Sequence, residues 1–545
     1  MKKYTLGLDY GTLSVRALLL DLENGAEIAV SEYVYPHAVM GKADFPGVNM
    51  EDTMALQHPQ DYLDGLKITV QEILKETGIL PEQICGIGID FTACTCLPVT
   101  ADGTPLCFLE EFSGNPHAYV KLWKSHSATY EAERINTVAQ ERNEPWLKLY
   151  GSGVSSEWLF SKLYECCRKA PDVYNATVHY LEAADWLIWL MTGNQVRSSS
   201  FAGFKGQWNP REGYPSNDFW KAVDPALDGV VGTKICENVQ PAGSLAGVLN
   251  ETGSRMLGLP EGISVALAII DAHSPVCTAG IATGGKMLMI LGTSACHIAI
   301  DKDLHIIKGV LGSIEEGIIP GHVAYEGGQP SMGDTFSWFV KNCVPESYSQ
   351  AAREKGCNVF AYLDSLASQL PPGANGHLVV DWWNGNRVPY GDFDLTGVIL
   401  GLRLSSKPEE LYRAIIESCA FAARNLLELY RNGGLDIREL YAGGGISRKN
   451  PMLMQIFADT LGMDIRVTDS TQAGSKGSAI FAAAACGYYP SLEAAASALA
   501  DRCETVYHPN AENLEAYTKL YKEYITLCKY FAEGENDVMK RLLGR

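Results

Sequence analysis

Gly7-Leu8-Asp9-Tyr10-Gly11-Thr12 and Leu291-Gly292-Thr293-Ser294 read as one phosphate-gripping turn written twice, first near the start of the chain and again about half-way along. Each follows an apolar run, Tyr4 to Leu6 and Met287 to Leu291, and each leads into further β-type sequence, Val15 to Leu20 and His297 to Ile300. Glycine and small hydroxyl residues at a tight strand-to-strand turn let backbone N–H groups close around an anion. One such hairpin per half predicts two related lobes closing on a single phosphate chain, and so a nucleotide enzyme of a non-Walker kind.

The bulk properties agree with that expectation. A chain of 545 residues is too long for one hydrophobic core. Its 46% hydrophobic and 20% charged content is that of a globular protein. A formal charge of −20 argues against nucleic acid or an anionic membrane surface as partner, because both reward basic patches. The N-terminal residues enter a strand directly, no apolar stretch reaches membrane-spanning length, and the fifteen cysteines form no C-x-x-C pair. A cytoplasmic protein with reduced, mostly buried thiols is expected.

Strand and helix signals alternate through the first half. Ile84 to Phe91 and Ile263 to Ile270 read as buried strands, Asp61 to Glu76 as a helix, Leu181 to Met191 as an apolar helix stopped at Gly193, and Pro241 to Pro260 as turn-rich. The domain junction is expected around Ala279 to Gly285, dividing the chain into residues 1–282 and 283–545. In the second half, Glu409 to Arg431 predicts a long helix and Leu440 to Ala442 a short strand. Gln472 to Cys486 predicts a small-residue helix able to pack very close to another element, and Leu514 to Phe531 a closing helix with one apolar stripe.

Several residues carry candidate chemistry, each with a plainer alternative. Asp9, at the end of a strand before the first turn, can hold Mg²⁺ through water or simply shape the hairpin as an Asx-turn. Asp271, at a strand end where α/β proteins place ligands, can accept the proton of an attacking hydroxyl or cap a helix. Gly443-Gly444-Gly445, followed by Asn450, offers bare backbone to a flat adenosine, although glycine triplets are common in ordinary loops. Ser198 to Gly206 reads as a flexible polar loop delivering Lys205, which could equally be a solvated surface lysine. Gly280 to Met287 almost spells a Walker A loop, but Met287 stands where Ser or Thr is required and a strand follows where a helix should. His273 and His297 lack a third ligand at metal spacing and read as core or supporting residues.

Together these motifs resemble the FGGY carbohydrate kinases, a branch of the actin/hexokinase/Hsp70-like ATPase superfamily. The match runs from the first strand to about residue 490. Gly88 to Thr95, Asn115 to Lys124, Glu326-Gly327-Gly328-Gln329 and Asp381 to Arg387 carry the more specific likeness. Trp123-Lys124-Ser125-His126 lacks the Asp and Arg that follow this tryptophan in the related xylulose and glycerol kinases. The segments Asp271-Ala272-His273-Ser274-Pro275 and Gly474-Ser475-Lys476-Gly477 depart from the usual pattern.

The resemblance implies an α/β, two-lobed, ribonuclease H-like fold with ATP and sugar in the cleft between lobes. It implies MgATP-dependent phosphorylation of L-ribulose at O5, in L-arabinose catabolism, with another ketopentose or pentitol as the alternative acceptor. A non-catalytic or chaperone-like ATPase of the superfamily is the more distant alternative. Asp271 would be the general base, Gly11, Thr12, Gly292 and Thr293 the phosphate cradle, and Asp9 the residue near Mg²⁺. Gly443, Gly444, Gly445 and Asn450 would line the adenosine pocket, while Ala93, Trp123, Lys205 and Glu326 would contact the sugar. The expected partners are the sugar and ATP, with no nucleic acid or membrane, and a homodimer is an open expectation for the assembly.

Overall fold

The computed structural model describes residues 2–151, 153–534 and 536–544. Two large mixed sheets organise them. The first runs Leu245–Val248, Ser264–Ala266, Ile84–Phe91, Tyr4–Tyr10, Ser14–Asp21, Glu27–Val34, with Ile269–Ile270 pairing further along Ile84–Phe91. The second runs Gly312–Glu315, Val323–Gln329, Ala295–Asp301, Lys286–Leu291, Glu439–Gly443, Ile465–Val467, Thr505–Tyr507.

The sheets share one wiring. Tyr4–Tyr10 opens an antiparallel three-strand meander on one side, pairs parallel with Ile84–Phe91 on the other, and the next strands are parallel and then antiparallel. Lys286–Leu291 repeats that pattern with Ala295–Asp301 and Val323–Gln329 on one side and Glu439–Gly443, Ile465–Val467 and Thr505–Tyr507 on the other. The repeated hairpin in the sequence is thus the visible part of a repeated sheet. The central strands read as continuous apolar runs because both of their faces are covered.

Helix Pro59–Thr77 covers one face of the first sheet, with the Tyr10 hydroxyl donating to the Tyr62 carbonyl at 3.2 Å. The other face receives Ala473–Ala485, a helix that follows the second sheet in sequence. Its backbone lies directly on the strands: a Cβ at Gly7 would meet the Ser475 carbonyl oxygen at 1.8 Å, and one at Gly88 the Ser478 carbonyl oxygen at 2.0 Å. The same helix crosses the short helix Pro275–Thr278, held there by Ser274 Oγ donating to Gly474 O at 2.8 Å and Thr278 Oγ1 to Ala473 O at 2.7 Å. The two sequence departures are absorbed at this crossing, because Lys476 pairs with Asp501 at 2.7 Å and Ser274 ties the helices together. Helix Pro408–Asn432 backs the second sheet, and Ala511–Ala532 closes over it through Tyr524, whose hydroxyl donates to Asp381 at 2.7 Å.

Three local expectations differ from the structure. Ser198 to Gly206 is not a flexible loop but a helix, Ser199–Gly206, capped by Ser198 Oγ accepting the Ser200 N–H, with its serines buried. Pro241 to Pro260 holds an edge strand, Leu245–Val248, and a helix, Glu251–Leu257, started by an Asn250 cap. Ile263 to Ile270 is broken into Ser264–Ala266 and Ile269–Ile270, both paired to the same neighbour.

The helix-on-sheet contact generates a test. Gly88→Ala should destabilise the protein by about 3 kcal/mol or more, because the new Cβ meets a backbone carbonyl and the clash cannot be relieved by a rotamer change. Gly114→Ala, where a Cβ meets nothing within 4 Å, should be nearly neutral. Urea unfolding followed by circular dichroism measures both, and equal effects would refute the close-packing account.

Candidate active site

The hairpins close in matching ways. The Gly11 N–H donates to Ser14 O and the Gly292 N–H to Ser294 O, each at 3.0 Å, which leaves Thr12 and Leu13, or Thr293, at the tip. The second hairpin is further held by the Met332 and Gly333 N–H groups, which donate to Thr293 O at 2.8 Å and Gly292 O at 3.0 Å. Gly444 has φ 95° and sits so close to this hairpin that a Cβ would meet Leu291 O at 2.4 Å, so only glycine fits there. Gly443 pairs in register with Ile290, and Gly445 opens onto free space. Asn450 accepts the Leu453 N–H as the cap of Pro451–Leu461, while its amide donates to Asp364 at 3.0 Å. The glycine triplet, Asn450 and the second hairpin therefore form one neighbourhood.

Beside the first hairpin stands a group of acids. Asp9 and Asp90 occupy the same register on adjacent parallel strands. Ser478, from the crossing helix, donates to Asp90 Oδ2 at 2.6 Å, while the buried Asp90 Oδ1 has no hydrogen-bond partner. Burial, and then the charge of Asp9, push the Asp90 carboxyl well above the usual range; burial lifts Asp9 too, against a hydrogen bond from Asp90 and the charge of Arg16. Hard oxygen donors in a pocket with surplus negative charge fit a hard divalent cation. Among the described residues no complete cage of His, Cys, Asp or Glu side chains is present.

Asp271 adjoins this group. Its N–H donates to Phe91 O at 2.9 Å, and its own Oδ1 accepts the Ala272 N–H at 2.7 Å. The carboxylate caps no helix turn, because the following helix starts at Pro275 with Ser274 at its N-cap. Burial first, and the charge of Asp9 second, push the Asp271 carboxyl up to about 7. Glu326, on the second sheet, and Lys205 are also among its charged neighbours.

Lys205 and Glu326 reach each other from the two halves, with Nζ 3.4 Å from Oε2. The lysine is mostly buried, in the last turn of its helix, with its ammonium 5.8 Å from the Trp158 ring. Burial alone would raise the Glu326 carboxyl, but Lys205, His273 and Arg387 outweigh it and keep the group ionised. The buried His273 places Nε2 3.5 Å from Glu326 Oε2, the supporting position expected of it. Trp123 is 38% exposed, and its indole N–H donates to Thr12 Oγ1 at 3.0 Å, linking its segment to the first hairpin. Ala93 is half-buried just past the end of Ile84–Phe91, three residues after Asp90.

Sequence reasoning assigned no role to Asp90, Arg387 or Trp158. Asp90 carried a usable signal, since a carboxylate near the end of an apolar central strand is rare unless it has work to do. Arg387 stood in a segment that carries the family likeness but without a role, and Trp158 carried no signal, because only the fold brings them to Glu326 and Lys205.

The parts brought together are two glycine hairpins of matching construction, a group of buried acids beside the first, and a Lys205–Glu326 pair from the two halves near a carboxyl raised to about 7. Comparison with known proteins shows the family and the fold. Residues 4–277 match the N-terminal domain model, and residues 287–486 the C-terminal domain model, of the FGGY family of carbohydrate kinases. The chain is 45% identical over 546 residues to the ribulokinase of Halalkalibacterium halodurans, covering 99% of this chain and 97% of that protein. It is 44% identical, with the same coverage, to the ribulokinase of Geobacillus thermodenitrificans. Xylulose kinase from Rhodospirillum rubrum shares the fold, with a TM-score of 0.80 at 22% identity over 96% of this chain and 98% of that one. The chain belongs to the FGGY family of carbohydrate kinases.

Proposed function

We propose that this protein phosphorylates L-ribulose at O5 with MgATP, giving L-ribulose 5-phosphate. One observation carries the reading. Asp271, a carboxyl poised at about 7, stands beside a lysine–glutamate pair drawn from both halves and next to the acids of the first phosphate hairpin. The full-length similarity to ribulokinases supports the choice of sugar. A net charge of −20 supports small molecules as partners over nucleic acid or an anionic membrane surface.

In this reading, Lys205 and Glu326 hold sugar hydroxyls, with Ala93 and Trp123 forming the adjoining wall. Gly11, Thr12, Gly292 and Thr293 cradle the phosphates, and Gly443, Gly444, Gly445 and Asn450 line the adenosine pocket. Asp9, with Asp90 behind it, would hold Mg²⁺ through water, and the cation would neutralise charge on the phosphate oxygens. Asp271 accepts the proton of the terminal hydroxyl as that oxygen attacks the γ-phosphorus. Residues 1–282 and 283–545 form the two lobes, the second lending helix Ala473–Ala485 to the first. Their closure aligns the hydroxyl with the phosphate and excludes competing water.

Asp271→Asn should bind L-ribulose and ATP almost normally and lose about a thousandfold in kcat, measured by coupled ADP release. Retention of most activity would remove Asp271 from the chemistry. Because the ionised form is the base, kcat/KM should climb with pH through about 7 and level off above it. A profile flat down to about pH 5 would contradict this assignment. Lys205→Ala should raise the KM for L-ribulose about tenfold or more and leave the KM for ATP within about twofold. Equal changes in both would contradict its placement.

A further inference from the structure

Behind the sugar wall lies Lys162, in helix Leu159–Lys169 and only 1% exposed. An ammonium carries three N–H donors and no acceptor. Here all three point at backbone carbonyls of two separate segments: Cys94 O on one, and Leu122 O at 2.8 Å and Lys121 O at 3.4 Å on the other. Cys94 follows Ala93 and Leu122 precedes Trp123, so one buried cation joins the backbones that carry two proposed sugar contacts.

The tie matters because one of these segments is strained. Cys94 has φ 58°, the left-handed region, which a residue with a side chain occupies only when its surroundings hold it there. The same helix is stitched to the other segment in return, with Lys121 Nζ donating to Lys162 O at 3.3 Å and pairing with Glu165 at 2.6 Å. At its N-cap stands Trp158, whose ring lies against Lys205. One helix thus sets the backbone under Ala93 and Trp123 and flanks Lys205 as well.

We propose that Lys162 is a positioning residue of the sugar site: its ammonium fixes the Ala93–Cys94 turn against the Leu122–Trp123 segment, so that both present one preformed wall to the sugar. The inference rests on the sugar-site reading above. Without the ammonium, the Cys94 carbonyl would lose the hydrogen bond that ties it to the other segment, where Leu122 O would keep only the Ser125 N–H at 2.9 Å, and the left-handed turn would be free to relax. The adenosine side, built on Gly443 to Asn450 of the other sheet, has no part in the tie.

Calorimetric titration of L-ribulose and, separately, of ADP tests this on Lys162→Met. The dissociation constant for L-ribulose should rise about tenfold or more while that for ADP stays within about twofold. Adding Cys94→Gly, which makes the left-handed turn costless, should recover much of the lost sugar affinity. A role in general stability would not be rescued in that way. Should Lys162→Met not fold, Lys162→Arg carries the same comparison, since its larger planar head keeps the charge but cannot take the compact three-donor position of the buried ammonium. Unchanged sugar affinity, or parallel loss of sugar and ADP binding without recovery by Cys94→Gly, would overturn the proposal and leave the substrate assignment standing. Failure of the unaltered protein to bind L-ribulose would overturn both.

Discussion

The contact on which the molecule depends is backbone against backbone, where helix Ala473–Ala485 lies on the strands of the first sheet at Gly7 and Gly88. Side-chain packing holds neighbouring elements several ångströms further apart. By omitting Cβ atoms at the contact, the chain brings a helix from its second half within reach of the acids of its first. Ser478 can then donate to Asp90, and Ser274 and Thr278 can fasten the crossing helices at the junction of the two lobes. The site is the consequence: Asp9, Asp90 and Asp271 end on neighbouring strands beneath that helix, facing the second sheet.

Charge balance explains how such a site persists in a folded protein. Buried carboxylates are costly unless paired, and this cleft carries more of them than its own cations can compensate. Lys205 answers Glu326 across the lobes, which keeps that pair ionised and its geometry fixed. Asp9, Asp90 and Asp271 have no comparable partner and sit with raised affinities for protons. In phosphoryl transfer, positioning and charge neutralisation supply most of the rate.

Much of this was legible in the sequence because it is local. The glycine hairpins, the strand Ile84–Phe91, the helix Pro408–Asn432 and the acid at position 271 each carry their own short-range signal of apolar spacing, caps and turn residues. The small-residue helix near residue 480 announced that it would pack closely, but not onto which sheet, since a helix has no local record of a partner hundreds of residues away. The helix around Lys205 was misread as a loop because its serines suggested solvent; they are buried, and Ser198 serves as the cap. Asp90 carried a signal as a carboxylate in an apolar central strand, but its place beside Asp9, like that of Arg387 near Glu326, came only from strand register and chain folding.

The account stands or falls on whether hydroxyl, carboxylate and phosphate meet between the lobes. A crystal structure of the protein with L-ribulose and a non-hydrolysable ATP analogue tests this directly. The account predicts the terminal sugar hydroxyl within hydrogen-bonding distance of Asp271, with both glycine hairpins touching one phosphate chain aimed at that oxygen. A sugar bound away from Asp271, or a nucleotide held by one hairpin alone, would contradict it.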